Sequence, residues 1–563
     1  MAERFHYSPL PIKGVQIDCR AQLMRPERIL SILPDLARWG LNTILVEYFD
    51  KFPYEGRLRK AVAPDAFTRG QVRELVRTAT DLGLQVIPLV QCCGHMGWVL
   101  RHASFRHLAE GSGRNRGIHS LCPADPGSAK LFREMAEQVI EVHGGCRYFH
   151  MGGDEVELAD DCLRCRDRKK AEGVSRLLVD HYIACADWLR SHGPDPILWC
   201  DMPLRHPEAL DLLRGHTIIM DWDYWSGLKP RRDRAHAWGI PRENVFKPER
   251  WPAAHRELFR SYFFAEDGKS ARPFPYTKCL RDRGFQVIVA PAIRSYGDSF
   301  CVPKALSVEN CIGAARTASE AHVLGCIITS WALRRAPWPL TEYSLMAGAM
   351  TMANPLVSRR EIDARFADEH FGVADPKLAQ IPLLLGVNCA GGMLGSLNDL
   401  DPRTGHWFGI DYTRRVEWAK SDPNALQSFA DLKKNLHKAA RLLSRARPKT
   451  PRQRERMRFW LWAHDVLAHF AEFGPQVLEE PGTHDPKLLR RFRKRAVALQ
   501  AKTDRLLRPL LTDHTMVSEH QIRFGIHLDW IDAMITAAAP RDPVRDPEGQ
   551  TGRARRTHRS HTI

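Results

Sequence analysis

From residue 14 to about residue 355 the chain alternates two hydrophobic patterns. Short apolar runs rich in branched residues cover Gly14–Cys19, Asn42–Glu47, Gln85–Val90, Tyr148–Met151, Ile197–Cys200, Thr217–Met220, Gln286–Val289 and Gly325–Ser330. Their length and composition predict strands. Between them, apolar residues recur every three or four positions over Pro26–Trp39, Arg69–Leu82, Ser128–His143, Lys170–Arg190, Ser307–Ala321 and Tyr343–Met352, which predicts helices. Strands that alternate with helices imply a parallel α/β fold, and eight such repeats favour a closed (β/α)8 TIM-type barrel over an open sheet. No GxGxxG or phosphate-binding loop follows the first strand, which argues against a dinucleotide fold. Past residue 358 the strand pattern stops. Helical periodicity runs through Asp411–Leu443, Arg452–Phe473 and Pro486–Leu507 to about Ala538. The expected organisation is therefore an N-terminal segment (1–13), a barrel (14–355), an α-helical C-terminal domain (356–539) and a basic tail (540–563). The tail has almost no large apolar side chains to offset its ordering entropy, so disorder is expected there.

Composition changes the picture in two ways. The formal charge of +17 could reflect a nucleic-acid partner or an anionic substrate. It is carried mostly by Arg interspersed with Asp and Glu, and neither a nucleic-acid-binding module nor aromatic–basic interleaving accompanies it, which disfavours nucleic acid. No stretch approaches the length of a membrane span, and Met1-Ala2-Glu3-Arg4-Phe5-His6 has no apolar leader core, so neither a membrane nor a secretory route is expected. The 14 cysteines lack the rhythm of a disulfide scaffold, and several sit in apolar runs; reduced thiols and a cytoplasmic location are expected.

The candidate chemistry sits at the ends of the strands. Asp18 and Arg20, Glu47 and Asp50, Gly94-His95, Asp154-Glu155, Asp201, Trp222 and Tyr224, and Trp331 all fall at or just after a predicted strand, at what would be the C-terminal mouth of a barrel. The most telling segment is His150-Met151-Gly152-Gly153-Asp154-Glu155. Adjacent strand residues point to opposite faces, so both carboxylates can serve one site only if the backbone turns, and the two glycines permit that turn. Paired carboxylates in one desolvated pocket are the usual apparatus for breaking a glycosidic bond. Cys162-Leu163-Arg164-Cys165 has the spacing of half a zinc site, but no second CxxC or paired-His motif follows, so no metal is expected. The connection from Trp225 to about Pro273 is long and carries Arg231, Arg232, Arg234, Arg242 and Lys247; it reads equally as a lid or as a solvated insertion.

Taken together, these motifs resemble glycoside hydrolase family 20, the β-N-acetylhexosaminidases, and within it the hexosaminidase D branch. The resemblance rests on His150–Glu155, on Gly14–Asp18, on Val46-Glu47-Tyr48-Phe49-Asp50-Lys51-Phe52-Pro53-Tyr54-Glu55-Gly56, on Val86–Gln91 with Gly94-His95, and on Ile328-Thr329-Ser330-Trp331. It implies an exo-acting hydrolase of terminal GlcNAc or GalNAc β-glycosides that needs no cofactor, and in which the 2-acetamido oxygen of the sugar is the nucleophile. By the same resemblance Glu155 is the general acid, with a raised pKa, and Asp154 stays ionised to orient the acetamide. Asp50 and His95 form a pair behind the acid, and His150 holds the carboxylates in place. Tyr224 donates to the acetamide carbonyl, Trp331 stacks under the sugar, and Trp199 forms a second wall. Arg20 and Glu342 bind sugar hydroxyls. The partner implied is an amino-sugar glycan, which the basic connection could extend to anionic ones. A glycan-binding barrel without catalysis remains an alternative, and a nucleic-acid-binding protein a weaker one. The oligomeric state does not follow from the sequence.

Overall fold

The computed structural model describes residues 7–111, 119–295, 299–386, 412–479 and 484–538. The whole of the predicted tail, and residues 1–6 of the N-terminal segment, lie outside the described residues.

Among the described residues, nine parallel strands form one sheet: β1 (Ile12–Asp18), β2 (Thr43–Glu47), β3 (Gln85–Leu89), β4 (Tyr148–His150), β5 (Asp195–Trp199), β6 (Ile218–Trp222), β7 (Val287–Ala290), β8 (Ala292–Arg294) and β9 (Gly325–Ser330). Strands β1 to β7 follow one another around the sheet, β9 pairs with β7, and β9 also pairs with β1 through Ile12↔Gly325 to Val15↔Ile328, which closes a barrel. Strands β7 and β8 are one stave interrupted at Pro291, which has no N–H for the ladder; both pair with β9. The barrel thus has eight staves, as predicted, with each strand within a residue or two of its expected place.

Alternation along the strands explains the two apolar layers. On β6, Ile218 and Met220 point into the lumen while Ile219 packs outward; on β7, Ile288 and Ala290 point in while Val287 and Val289 point out. The lumen is filled by such residues, with Trp199 at its upper end, so it is a packed core rather than a pore. The helix predicted from Lys170 begins earlier, at Leu163, and breaks at Gly173, whose φ of 83° no helix accommodates.

The C-terminal helices include Ala425–Leu443, Pro451–Phe473, Pro486–Leu507 and Ile526–Ala537. Their apolar faces join the layer outside the barrel, so one continuous core runs from Leu33 and Phe366 to Trp460 and Phe470. Buried ion pairs cross the same boundary. Arg456 meets Asp35 at 2.8 Å and Glu342 at 2.7 Å, and Arg335 on the barrel pairs with Glu519. Among the described residues, no helix is long and apolar enough to cross a membrane.

Candidate active site

After β4 the chain makes the turn that the two glycines allow. Gly152 and Gly153 have φ of 65° and 84°. A Cβ on Gly152 would lie 1.9 Å from Gln91 Oε1, and one on Gly153 would lie 2.5 Å from Leu198 Cδ1, so these positions exclude any side chain. Glu155 itself takes φ 47°, costly for a residue with a Cβ. Its backbone N–H donates to Asp201 Oδ2 at 2.9 Å, which helps hold that conformation. Gly94 lies so close to the turn that a Cβ there would meet Asp154 O at 2.1 Å, and the next residue, His95, is also left-handed at φ 55°.

The result is a compact charged cluster. Asp154 is 8% exposed. Its Oδ1 accepts from Gln91 Nε2 at 3.1 Å, and its Oδ2 lies 3.1 Å from His95 Nε2. The same His95 nitrogen is 3.4 Å from Glu155 Oε2. Burial disfavours charge on His95, but Asp154 and then Glu155 outweigh it and raise its pKa to about 10, so the ring is an imidazolium at neutral pH. Burial likewise opposes charge on Asp154, yet His95, Gln91 and Arg20 bring it down to about 2. Asp154 is therefore ionised across the working range.

Glu155 departs from expectation. Its side chain is 53% exposed. Burial at the base of the carboxyl pushes its pKa up, but the hydrogen bond and charge of His95 prevail and hold it below the ordinary value. The expected raised pKa is thus absent here, because the His95 cation outweighs burial.

The expected pair of Asp50 and His95 is not made. Asp50 is buried on the short helix after β2, while His95 turns Nε2 toward the two carboxylates and its buried Nδ1 has no hydrogen bond among the described residues. Glu342 is also not at the mouth. It is buried on the helix Trp338–Ala353, beside Arg456 and 3.1 Å from His370 Nε2, and so belongs to the boundary with the C-terminal helices. Arg20 is near the site but committed. Its Nε donates to Asp18 at 3.0 Å, and its guanidinium lies 4.7 Å from the Phe49 ring centre and 4.9 Å from that of Trp331. It backs the Trp331 platform by a cation–π contact.

The aromatic residues gather as expected. Trp331 Nε1 donates to Tyr224 OH at 3.1 Å, and the Trp331 ring is 5.9 Å from that of Trp199. Trp199 is 1% exposed, a floor more than a wall. His150 is buried 4.4 Å from the Trp199 ring, and its Nδ1 accepts the Gly152 N–H at 3.0 Å, which pins the turn. Burial lowers its pKa to about 3, so it is neutral.

Four residues near the carboxylates were given no role by sequence reasoning. Gln91 and Glu47 lie within quoted motifs, and Asp201 is at the end of β5; position at a strand end was the available signal. Burial, outweighing Arg20, raises Glu47 to about 8; burial and the nearby Asp154 raise Asp201 to about 7. His119 had no signal at all. It arrives on a loop, where its ring sits edge-on to His95 at 4.6 Å. Burial and the His95 charge lower its pKa to about 4.

The long connection after β6 is packed. It contains the helix Ala253–Phe263, and Trp238, Trp251 and Phe259 are buried. Arg231 pairs with Asp233 and Arg232 with Asp267, so these charges are matched within the segment. It contributes His236 to the mouth, stacked on Trp225 with ring centres 4.4 Å apart.

Residues 34–238 match the family model described as the glycosyl hydrolase family 20 catalytic domain. This stretch is similar to the catalytic domain of glycosyl hydrolase family 20. The matched residues include Gln91, His95, Asp154, Glu155, Asp201 and Tyr224; the second half of the barrel, with Trp331, lies beyond them. Hexosaminidase D of Bos taurus is 34% identical over 223 residues, covering 38% of this chain and 63% of the relative. Hexosaminidase D of Homo sapiens is 32% identical over 229 residues, covering 39% of this chain and 46% of the relative. A lacto-N-biosidase of Bifidobacterium bifidum is 32% identical over 222 residues, covering 38% of this chain and 19% of the relative. The chain therefore spans less than two thirds of the length of each of these relatives.

Proposed function

We propose that the protein is an exo-acting β-N-acetylhexosaminidase that works by substrate-assisted retention. The observation that carries the reading is the division between two adjacent carboxylates. Asp154 is buried and held ionised by His95 and Gln91, while Glu155 reaches half into solvent at the mouth. An ionised Asp154 can accept the acetamido N–H and balance the positive charge of an oxazolinium intermediate. Glu155, nearer solvent, is suited to protonate the leaving oxygen and then to activate water. Tyr224, whose hydroxyl oxygen already accepts from Trp331, keeps a proton to donate to the acetamide carbonyl, and Trp331 offers its face to the C–H side of the sugar.

The resting pKa of Glu155 is compatible with this role because a bound sugar would cover the exposed part of the carboxyl. Desolvation then raises the pKa in the complex, where the acid is needed. A reducing, cytoplasmic setting is part of the proposal, supported by the buried thiols Cys92, Cys93, Cys185 and Cys200.

The test is hydrolysis of aryl N-acetyl-β-glucosaminide and galactosaminide beside the aryl β-glucoside, with a thiazoline analogue of the cyclised intermediate as inhibitor. Turnover of an N-acetyl substrate, tight inhibition and a very poor glucoside are expected. A glucoside cleaved as well as its N-acetyl counterpart would refute acetamide participation, and no turnover of either N-acetyl epimer would favour a glycan-binding barrel.

A further inference from the structure

The CxxC that sequence reasoning left without partners has them in three dimensions. Cys122 Sγ lies 3.3 Å from Cys165 Sγ and 3.8 Å from Cys162 Sγ, and Cys165 Sγ lies 3.1 Å from Glu110 Oε2. One ligand atom from each of Glu110, Cys122, Cys162 and Cys165 falls within 4.8 Å of every other, and all four residues are buried. The three cysteines are free thiols. We propose that these four side chains form a structural zinc site, distinct from the glycosidase centre, which revises the expectation that the chain binds no metal.

Geometry, charge and surroundings support the assignment. A tetrahedral zinc with Zn–S bonds of about 2.3 Å has sulfurs roughly 3.8 Å apart, close to the separations observed. Disulfide sulfurs stand about 2.05 Å apart, well short of these distances. Three thiolates and a carboxylate around a divalent cation leave excess negative charge. Two cations are positioned to balance it: Lys169 Nζ is 3.5 Å from Glu110 Oε1, and the Arg164 guanidinium lies beside the Cys122 and Cys162 sulfurs. Cys162 occupies the N-cap position of the helix Leu163–Ser191 and Cys165 lies in its first turn, so one turn of backbone supplies both sulfurs. Four protein ligands complete a tetrahedron, which is the pattern of a structural site and not of a catalytic one.

The ligands come from two segments that both touch the active site. Glu110 and Cys122 flank the bridge between Ala109 and Leu121, close to His119. Cys162 and Cys165 end the loop that starts at Glu155. The two segments approach so closely that a Cβ on Gly111 would lie 2.4 Å from Ala159 Cβ. A zinc ion here would clip the His119 loop to the loop that follows the catalytic carboxylates. Glu110 and Cys122 are at least 40 residues in sequence from Cys162 and Cys165, which is why spacing alone did not reveal the set.

The test is elemental analysis of the full chain, purified under reducing conditions, reconstituted with zinc and dialysed against a weak chelator. One zinc per chain is expected in the wild type and much less in Cys162→Ser and Glu110→Gln. Should these variants fail to fold, cobalt substitution of the wild type replaces them: intense visible bands of a tetrahedral ion and a near-ultraviolet thiolate charge-transfer band are expected. Wild type that retains no zinc, variants that retain as much as wild type, cobalt spectra without thiolate charge transfer, or a disulfide between Cys122 and Cys165 in the reduced preparation would each overturn the proposal.

Discussion

The backbone N–H of Glu155 donates to Asp201 Oδ2 at 2.9 Å, which ties the end of β5 to a left-handed residue beyond the end of β4. The carboxylate touches no reacting atom in this account. It positions Glu155, which would otherwise relax from φ 47° and carry its side chain away from the leaving oxygen. Asp201→Ala is expected to lower kcat by about 10²-fold, the scale of a misplacement near 1 Å, with KM little changed. Asp201→Asn retains an acceptor and should recover most of the loss. Steady-state kinetics of the two variants check this; equal loss in both would mean that charge, not position, is what Asp201 supplies.

The pH profile should separate the free enzyme from its complex. In the free enzyme His95 holds the Glu155 carboxyl below the ordinary value, and a general acid must be protonated to act. The basic limb of kcat/KM, which reports the free enzyme, should therefore begin in the acid range. The limb of kcat reports the complex, where the sugar has covered Glu155, and should lie at higher pH. Activity should persist at low pH until Asp154 protonates near about 2. Coincident limbs would contradict desolvation by substrate.

The charges around His95 also bear on stability. Its folded pKa of about 10 exceeds the unfolded value of about 6.5, so its contribution is complete below the unfolded value and is lost as pH rises through 10. Asp154→Asn should lower the His95 pKa and shift that loss to lower pH, measurable by NMR titration of the ring and by melting temperature across pH. An unmoved His95 titration would show that Asp154 is not its main partner.

Glu342 tests the boundary between barrel and helices. It shares Arg456, a side chain 5% exposed, with Asp35; Glu369 lies 3.6 Å from the same guanidinium. Arg456→Met leaves Glu342 without its guanidinium, while Asp35 keeps Arg38 and Arg452 and Glu369 keeps Arg38 and Arg365; a loss of about 3 kcal/mol, the low end for breaking a buried pair, is expected. Glu342→Gln should be milder. Neither should change KM of the folded fraction. Calorimetry beside KM checks this; a raised KM with an unchanged melting temperature would return Glu342 to the sugar site.

The parts legible in the sequence are those set by local pattern. Strand periodicity is written within each five-residue run, so the staves could be placed, and the punctuation at their ends marked the mouth. Glycines at 152 and 153 announced the turn before Asp154. Partnerships between distant segments were not legible. Arg456 is 114 residues from Glu342, and Cys122 is 43 residues from Cys165. His119 enters on a loop without periodicity. The lowered Glu155 pKa was not legible either: the resemblance places His95 behind the acid, but that its ring is a cation held by Asp154 follows only from the fold.

The central claim is that Glu155 supplies the proton to the leaving oxygen. The most direct measurement is kcat/KM of Glu155→Gln against N-acetyl-β-hexosaminides with leaving groups of graded basicity. Gln keeps the shape and has no proton to transfer. The account predicts a large loss for alkyl or sugar leaving groups and a much smaller one for strongly activated aryl groups, whose departure needs no protonation. A loss of the same size across the series would contradict it.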